Sequence, residues 1–385
     1  MLALLVFRFV LWASVFYAVK NLIQLTPLLS KTKLTQISFS TRELSGIKIP
    51  ALLIYHIIRS ILRRIGIGSK LNIIEESDGS FKLKNGDITL YMPFKITNQD
   101  IQQYVKCISS NTKTNNNLTE EMIFKNSNHL QLLLSSLTEP TLLLLLSKIN
   151  CQIDPIGSVN VRNKFELFNF YKIQQLLLSS SLSQNFNEIN NIEFQTIAKL
   201  NENVKKVKRG WEFNIIIKLI ENNLNLNLKS KLIFKQSFTF LTFYKHFIPL
   251  PSIPLIKSDR IKEDFKDIGN FKINIDEPIK WSKLSKDYNP IHTFNLAAKL
   301  LGFKSKIAHG NHIVVKAIHE VSKNLTSESV SDKNEKRWME IEFKRPVPVP
   351  STLELKMYKQ NADEERTNLE IWVKGKVATT VTCNI

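Results

Sequence analysis

The sequence predicts a mixed α+β protein with two or three core-forming units. The chain has 385 residues, 43% hydrophobic and 23% charged, so most of it carries enough apolar material to fold. Thr141–Asn150 contains five consecutive leucines, which indicates a helix buried on all sides. Lys231–Phe240 alternates between apolar and polar residues, which is typical of a half-buried strand. The two patterns together favour an α+β fold.

The N-terminal region begins with a mostly apolar segment, residues 1–29. Its longest uncharged run, Phe9–Val19, is shorter than the ~20 residues that a spanning helix needs. Three interpretations stay open: a membrane-bound or interfacial helix, a cleaved targeting segment, and a helix packed on the protein itself. A second apolar stretch, Ile49–Gly66, fits a membrane-surface helix or an ordinary amphipathic helix equally well. It also carries three arginines, which are Arg59, Arg63 and Arg64.

The charge of the chain is concentrated in the same region. Residues 1–70 contain ten Lys and Arg and one acid, Glu43, and so contribute +9 of the formal net charge of +19. Such a balance suits an anionic partner, either a phospholipid surface or a phosphate-bearing carrier. The sequence has no zinc-finger or RNA-binding motif, so we expect no nucleic-acid partner. We expect a position on the cytoplasmic side, with membrane association through residues 1–70 as one alternative and organellar targeting left open.

The three cysteines predict a reducing compartment. Cys107, Cys151 and Cys383 show no CxxC spacing, so they are interpreted as reduced core or near-surface thiols.

The most informative stretch of the sequence is Trp281–Val315. It places Asp287, Asn289, Pro290 and His292 within six residues, ahead of a helical pattern that ends at Gly302. A carboxylate and an imidazole five residues apart, just before a helix, can hold an acid/base pair over one substrate atom. A second polar cluster, Ala308–Asn311, contains a His-Gly pair that opens the next helix. Such a helix start offers a backbone N–H to a developing oxyanion.

These residues resemble the hydratase-2 signature of MaoC-like dehydratases, which are hot-dog-fold enzymes. The matching segments are Leu284–His292, which reads LSKDYNPIH, and the later AHG. The residues that match are Asp287, Asn289, Pro290, His292 and Gly310. Lys286 departs from the pattern, because the family usually has glycine there, where it allows a positive φ or a close approach.

The resemblance implies a double hot-dog, two antiparallel sheets each wrapped around a helix, with a basic apolar N-terminal extension. The extension is expected over 1–93, a degenerate first hot-dog over 94–245, a proline-containing linker over 246–265 and a catalytic hot-dog over 266–385. The first half has no Asp-x-Asn-x-x-His segment, so we expect it to shape the acyl pocket without being catalytic.

The resemblance also implies an activity, the reversible hydration of trans-2-enoyl thioesters to (3R)-hydroxyacyl thioesters on coenzyme A or acyl carrier protein. His292 is expected to act as the base and Asp287 as the acid, while the Gly310 N–H binds the thioester oxygen. Three further residues are expected at the substrate. Asn289 would orient the pair, His309 would contact the ligand or cap the helix, and Phe343 would line the pocket. No metal and no cofactor are implied, and a homodimer is one expected assembly.

Two alternatives come from other functional classes. One is a non-catalytic acyl-thioester-binding or membrane-tethered scaffold protein with a hot-dog fold. Lys286 favours it, whereas the intact Asp287, His292 and Gly310 argue against it. The other is a basic membrane-surface adaptor driven by residues 1–70, which would leave the signature unexplained.

Overall fold

The computed structural model describes most of the chain. The described residues are 2–67, 71–108, 123, 125–174, 177, 192–223, 230–243, 266–324, 336–359 and 366–384. The expected linker, 246–265, lies outside them. The α-helices with defined bounds are α1 (Leu2–Ile23), α2 (Lys48–Arg64), α3 (Asn98–Ile108), α4 (Ser127–Ser147), α5 (Glu277–Ser285), α6 (Pro290–Thr293), α7 (Asn295–Leu300) and α8 (Gly310–Asn324). The strands are β1 (Leu34–Gln36), β2 (Ile73–Glu75), β3 (Phe81–Leu83), β4 (Ile88–Phe94), β5 (Ser158–Leu167), β6 (Ile192–Val207), β7 (Gly210–Asn223), β8 (Lys231–Phe243), β9 (Lys266–Ile273), β10 (Arg337–Phe343), β11 (Ser351–Lys359), β12 (Arg366–Val373) and β13 (Lys376–Asn384).

The strands form one continuous sheet in the order β1-β4-β6-β7-β8-β5-β10-β13-β12-β11-β9, with β2 and β3 attached beside β6. Apart from β1, which runs parallel to β4, neighbouring strands are antiparallel. Strands β5 and β10 join the two halves. The first half packs around α4 and the second around α8. The predicted α+β double hot-dog is therefore confirmed.

The central helix of the first half is longer than the sequence suggested. The expected helix over Thr141–Asn150 is the C-terminal part of α4, which begins at Ser127 and continues through Pro140. Asn126 caps its start, because the Asn126 side chain accepts hydrogen bonds from the amides of Asn128 and His129. Among the described residues, α4 is the one helix long and apolar enough to cross a membrane. Its most apolar window is 94% buried, as expected of a core helix.

Residues 1–93 are less separate from the first hot-dog than the sequence suggested. Strand β4 pairs with β6 along its whole length, and β1 pairs with β4. The expected boundary between residues 93 and 94 therefore falls inside β4. The sequence of β4 is only seven residues long and does not reveal that this strand pairs with β6.

The hydrophobic core crosses the junction between the two halves. One cluster contains Leu130 and Leu133 of α4 together with Trp281, Val314 and Met339 of the second half. A second cluster lies inside the first half, where the C-terminal leucines of α4 pack against β4, β6 and β7. Because the first cluster is shared, the two hot-dogs form one folding unit.

Candidate functional site

The signature begins at the end of α5, where the backbone turns sharply. Lys286 ends this helix with φ 61° and ψ 10°, the left-handed conformation that glycine adopts without strain. A non-glycine residue there costs about 1–2 kcal/mol. Its ammonium donates to the carbonyl of Lys283 at 2.7 Å. The lysine thus adopts the backbone conformation for which glycine is suited.

The residues after this turn hold Asp287 in place through local hydrogen bonds. The Asn289 amide donates to Oδ1 of Asp287 at 3.0 Å. The Asn289 side chain in turn accepts from the Ile291 amide at 3.3 Å and so caps α6. Pro290 occupies the first turn of α6, where its missing N–H costs nothing. In the structure Asn289 is a helix cap that fixes the aspartate.

His292 is buried on α6, and the contact of one ring nitrogen defines its tautomer. Its Nδ1 lies 2.9 Å from the carbonyl oxygen of Ile307. Since a carbonyl only accepts, Nδ1 carries the proton and Nε2 keeps a lone pair. Burial lowers the pKa of His292, while the charge of Asp287 and the Ile307 carbonyl oppose that shift. The imidazole is therefore neutral near pH 7 and can accept a proton.

His309, which directly precedes α8, contacts both Asp287 and His292. Its ring stacks on that of His292, with centroids 3.8 Å apart and an interplanar angle of 27°. Its Nε2 lies 3.2 Å from the Asp287 carbonyl oxygen and 3.8 Å from the Asp287 carboxylate. Burial and the neighbouring His292 place the pKa of His309 well below its usual value. A neutral His309 donates to the Asp287 carbonyl and stacks on His292, so it positions Asp287 and His292 relative to each other.

Asp287, His292 and His309 also form a set that could hold a metal ion. Their side-chain ligand atoms lie within 4.8 Å of one another. A carboxylate with two imidazoles is a ligand set that zinc accepts. Here Nδ1 of His292 and Nε2 of His309 face backbone carbonyls, so both nitrogens carry hydrogen in this arrangement. From the sequence, all three residues are expected at the substrate and no metal is implied, because metal-ligating geometry depends on how the loops bring His309 to the other two.

Gly310 opens α8, and a bulky neighbour explains why it is glycine. A Cβ built on Gly310 would lie 2.3 Å from Cε1 of Phe343, so any side chain would collide with that ring. The first amides of a helix have no carbonyl partner in the preceding turn, and the helix dipole favours negative charge there. The Gly310 amide follows His309 directly, so the start of α8 lies next to the histidine that stacks on His292. Phe343 lies against Gly310 at the end of β10.

Glu139 is a site residue that the sequence reading missed. It comes from α4 in the first half, and its carboxyl lies near Asp287 and Ser285. Burial, followed by the charge of Asp287, raises the pKa of Glu139 well above its usual value, although a hydrogen bond with Ser285 acts in the opposite direction. Its Oε2 is buried without a hydrogen-bond partner among the described residues. The sequence feature that could have indicated it is a carboxylate next to Pro140 inside a leucine-rich helix, where a charged side chain is unexpected.

A mostly apolar cleft opens beside Asp287, with about 560 Å³ of empty space when its opening to solvent is included. The signature contributes residues 286–290 to its wall, and α4 contributes Leu143. Helix α2 contributes Ile49, Leu52, Leu53 and His56. Among the described residues, His292 and Gly310 are not part of the lining, so the cleft reaches the site from the Asp287 side. Helix α2, which lies within the expected extension 1–93, therefore forms one wall of the cleft.

Comparison with known families identifies the second half. Residues 258–382 match the family model described as "MaoC like domain". These residues form a MaoC-like dehydratase domain. This match supports a hydratase or dehydratase activity, and it covers Asp287, His292, Gly310 and Phe343. Among curated proteins, no sequence matches the chain.

Several solved structures are similar to the chain. HtdX of Mycobacterium tuberculosis is 16% identical, covering 77% of this chain and 98% of that one, with a TM-score of 0.48. Peroxisomal multifunctional enzyme type 2 from Drosophila melanogaster is 15% identical, covering 77% of this chain and 48% of that one, with a TM-score of 0.48. A MaoC-like dehydratase from Phytophthora capsici is 13% identical, covering 78% and 96%, with a TM-score of 0.47.

Proposed function

We propose that the protein catalyses the reversible hydration of trans-2-enoyl thioesters to (3R)-hydroxyacyl thioesters carried on coenzyme A or acyl carrier protein. The observation that carries this proposal is the convergence of Asp287 and His292 beside the first amide of α8, inside a MaoC-like domain. An acid, a base and an oxyanion-binding amide are the groups that addition of water across an enoyl thioester requires.

In the proposed reaction His292 Nε2 takes a proton from a water molecule, and the hydroxyl adds to Cβ of the substrate. The electron pair of the double bond moves toward the thioester carbonyl, whose oxygen the Gly310 amide stabilises as charge develops. Asp287 then delivers a proton to Cα. A proton transfer from His292 back to the carboxyl restores both groups, so one water is added and nothing else changes.

Asp287 needs a proton to act as the acid, and Glu139 is a buried carboxyl close by that can supply one. Burial, followed by the charge of Asp287, raises the pKa of Glu139 well above its usual value, so Glu139 is protonated near neutral pH. In this proposal the first half of the protein supplies the proton that Asp287 of the second half delivers.

The acyl chain is proposed to occupy the cleft between α2, α4 and the signature, because that cleft is apolar and begins at Asp287. The first hot-dog and the N-terminal region would then set the chain-length preference. We also propose a reducing compartment such as the cytoplasm. The three cysteines, which are all unbonded and buried, support this. A homodimer remains part of the proposal.

The test is hydration of crotonyl-CoA and of a long-chain enoyl-CoA, followed by the loss of enoyl absorbance. The same acyl groups on acyl carrier protein distinguish the carriers, and a stereospecific hydroxyacyl dehydrogenase reports the configuration of the product. We expect turnover with a preference for the long chain. No turnover on either carrier would contradict the proposed activity.

A non-catalytic acyl-thioester-binding protein is the second candidate, because the cleft lining includes Asp287 but not His292. Calorimetric binding of a saturated acyl-CoA, measured on the same preparation, separates the two candidates. Binding without any hydration would favour the second one.

A further inference from the structure

Helix α2 is oriented with its polar side toward the protein and its apolar side outward. Its buried positions include Lys48, His56, Arg59 and Ser60. Besides Pro50, its exposed positions are four isoleucines and one leucine, namely Ile54, Ile57, Ile58, Ile61 and Leu62. A helix on a water-facing surface shows the opposite arrangement. Water is therefore not the expected surroundings of the outer face.

The inward arginines fix this orientation. Arg59 donates to the carbonyls of Leu146 and Lys148 at 2.9 and 3.0 Å and also to that of Cys151. Arg63 donates to the Cys151 carbonyl at 2.7 Å. These carbonyls lie at and just beyond the C-terminal end of α4, where unpaired carbonyls and the helix dipole attract cations. Arg59 and Arg63 therefore face the protein, where they bind carbonyls at and just beyond the end of α4, and neither is free to contact a membrane surface.

Helix α1 adds a second exposed apolar surface next to α2. Of its described side chains, Trp12, Phe16, Tyr17 and Ile23 are each more than half exposed. Together with Val15, Val19 and Leu22 they cover an arc of about 220° at about 100° per residue. The interpretation of 1–29 as a helix packed on the protein does not hold for these side chains.

We propose that α1 and the outer face of α2 dock on a lipid bilayer. A single partner helix covers a stripe of roughly 100°, whereas lipid surrounds a helix on every free side, so the arc on α1 favours lipid over a second copy of the chain. Charge agrees with an anionic surface, because Lys20 is exposed on α1 and Lys31, Lys33 and Arg42 are exposed in the segment between α1 and α2. Since carbonyls at and just beyond the end of α4 bind Arg59 and Arg63, these two charges point inward, and insertion of apolar side chains contributes more than charge.

The docked face and the cleft lie on two sides of the same helix. Ile49, Leu52, Leu53 and His56 of α2 line the cleft, and Ile54, Ile58 and Ile61 face outward. Docking would place the cleft one helix away from the bilayer, where long acyl chains partition. This consequence for substrate delivery rests on the proposed function, whereas docking itself does not.

The experiment is flotation of the full chain with phosphatidylcholine vesicles and with vesicles that also contain phosphatidylglycerol, at low salt and at about 1 M salt. We expect flotation with both, stronger with the anionic vesicles, and largely retained at high salt. The triple variant Ile54→Gln, Ile58→Gln, Ile61→Gln should partition at least roughly tenfold less, because three apolar side chains leave the insertion face. Trp12→Gln with Phe16→Gln should have a similar effect.

Ile74→Gln is the matched control, because Ile74 is an exposed isoleucine on β2, outside α1 and α2. It should float like the wild type, and thermal melts should show all variants folded.

The proposal is overturned if the intact chain stays at the bottom with both vesicle types, or if high salt releases it completely. It is also overturned if light scattering shows a dimer that the triple variant disrupts while no flotation occurs, because the face would then join two copies. Flotation of the triple variant at the wild-type level would remove α2 from the docking surface. Because flotation needs no substrate, its failure is distinguishable from failure of the proposed activity.

Discussion

The two hot-dogs share a fold and differ in what they add to it. The second has strands of seven to nine residues around a helix of 15 residues. The first has strands of up to 16 residues around a helix of 21 residues. In the second, the segment between β9 and α8 carries Asp287 and His292. In the first, the residue before α4 is Asn126, which caps the helix and donates to the Ser322 hydroxyl at 3.1 Å. The short half carries the proposed acid and base, and the long half provides Glu139 and part of the wall of the cleft.

The position of Glu139 beside the second half depends on the hydrophobic core that the two halves share. Strands β5 and β10 are hydrogen-bonded neighbours, and the N-terminal part of α4 packs in the same cluster as Trp281 and Val314. Glu139 can therefore be held near Asp287 although the two residues belong to different halves.

The largest expected effect concerns the half that holds the chemistry. Asp287→Asn and His292→Gln should each lower kcat/KM for enoyl-CoA hydration by about 10²-fold or more, the range of general acid–base catalysis. Asp276→Asn is the control, since Asp276 is an exposed residue that pairs with Lys280 at 2.7 Å. Near-native turnover in both site variants, with unchanged melting temperatures, would show that the chemistry lies elsewhere.

The start of α8 should be almost as sensitive. Gly310→Ala puts a Cβ into the Phe343 ring, so either the ring or the helix start must move. We expect about a tenfold or greater loss of kcat, less than the ~10²-fold for complete removal of an oxyanion donor, because the amide persists but shifts. Adding Phe343→Ala should restore part of the activity by making room for the new methyl group. A Gly310→Ala variant with full activity would rule out a tight geometric requirement at this position.

The third effect tests the role of the long half. Leu53→Trp should fill part of the cleft and lower kcat/KM for a long-chain substrate by about tenfold, with little change for crotonyl-CoA. Ile57→Trp is the matched control, since it is the same kind of change on the outer side of the same helix. Equal losses on both chain lengths would mean that the cleft does not hold the acyl tail.

A smaller effect is expected at the carboxyl that joins the two halves. Burial and then the charge of Asp287 raise the pKa of Glu139 well above its usual value, so Glu139→Gln removes a protonated carboxyl that can pass its proton to Asp287. Because the amide is uncharged and similar in size but cannot release a proton, we expect kcat for hydration to fall by about fivefold with little change in melting temperature. Turnover identical to the wild type would make Glu139 a structural residue.

Sequence reasoning located the second half well because its information is local. The spacing of Asp287, Asn289, Pro290 and His292 requires only a turn and a helix, and both are present. The capping role of Asn289 also follows from adjacent residues. Glu139 was out of reach because its proximity to Asp287 depends on how α4 crosses the junction. The orientation of α2 was missed for a similar reason, since arginines on an apolar helix suggest an outer charged face until the carbonyls of α4 are known.

The smallest effect is expected from metal removal. This experiment tests whether the second half, which contains Asp287, His292 and His309, differs from the first half in binding a metal ion. Asp287, His292 and His309 could hold an ion, but His292 Nδ1 and His309 Nε2 donate to carbonyls, and a cation on either nitrogen would break that contact. Those contacts also keep Nε2 of His292 as the base. We therefore expect dialysis against EDTA to change kcat by less than about twofold. Added Zn²⁺ should inhibit, because it would compete for the lone pair of the base and for the Asp287 carboxylate. Loss of activity on chelation and recovery with Zn²⁺ would reverse this assignment, and the three residues would then be ligands rather than an acid, a base and a positioning group.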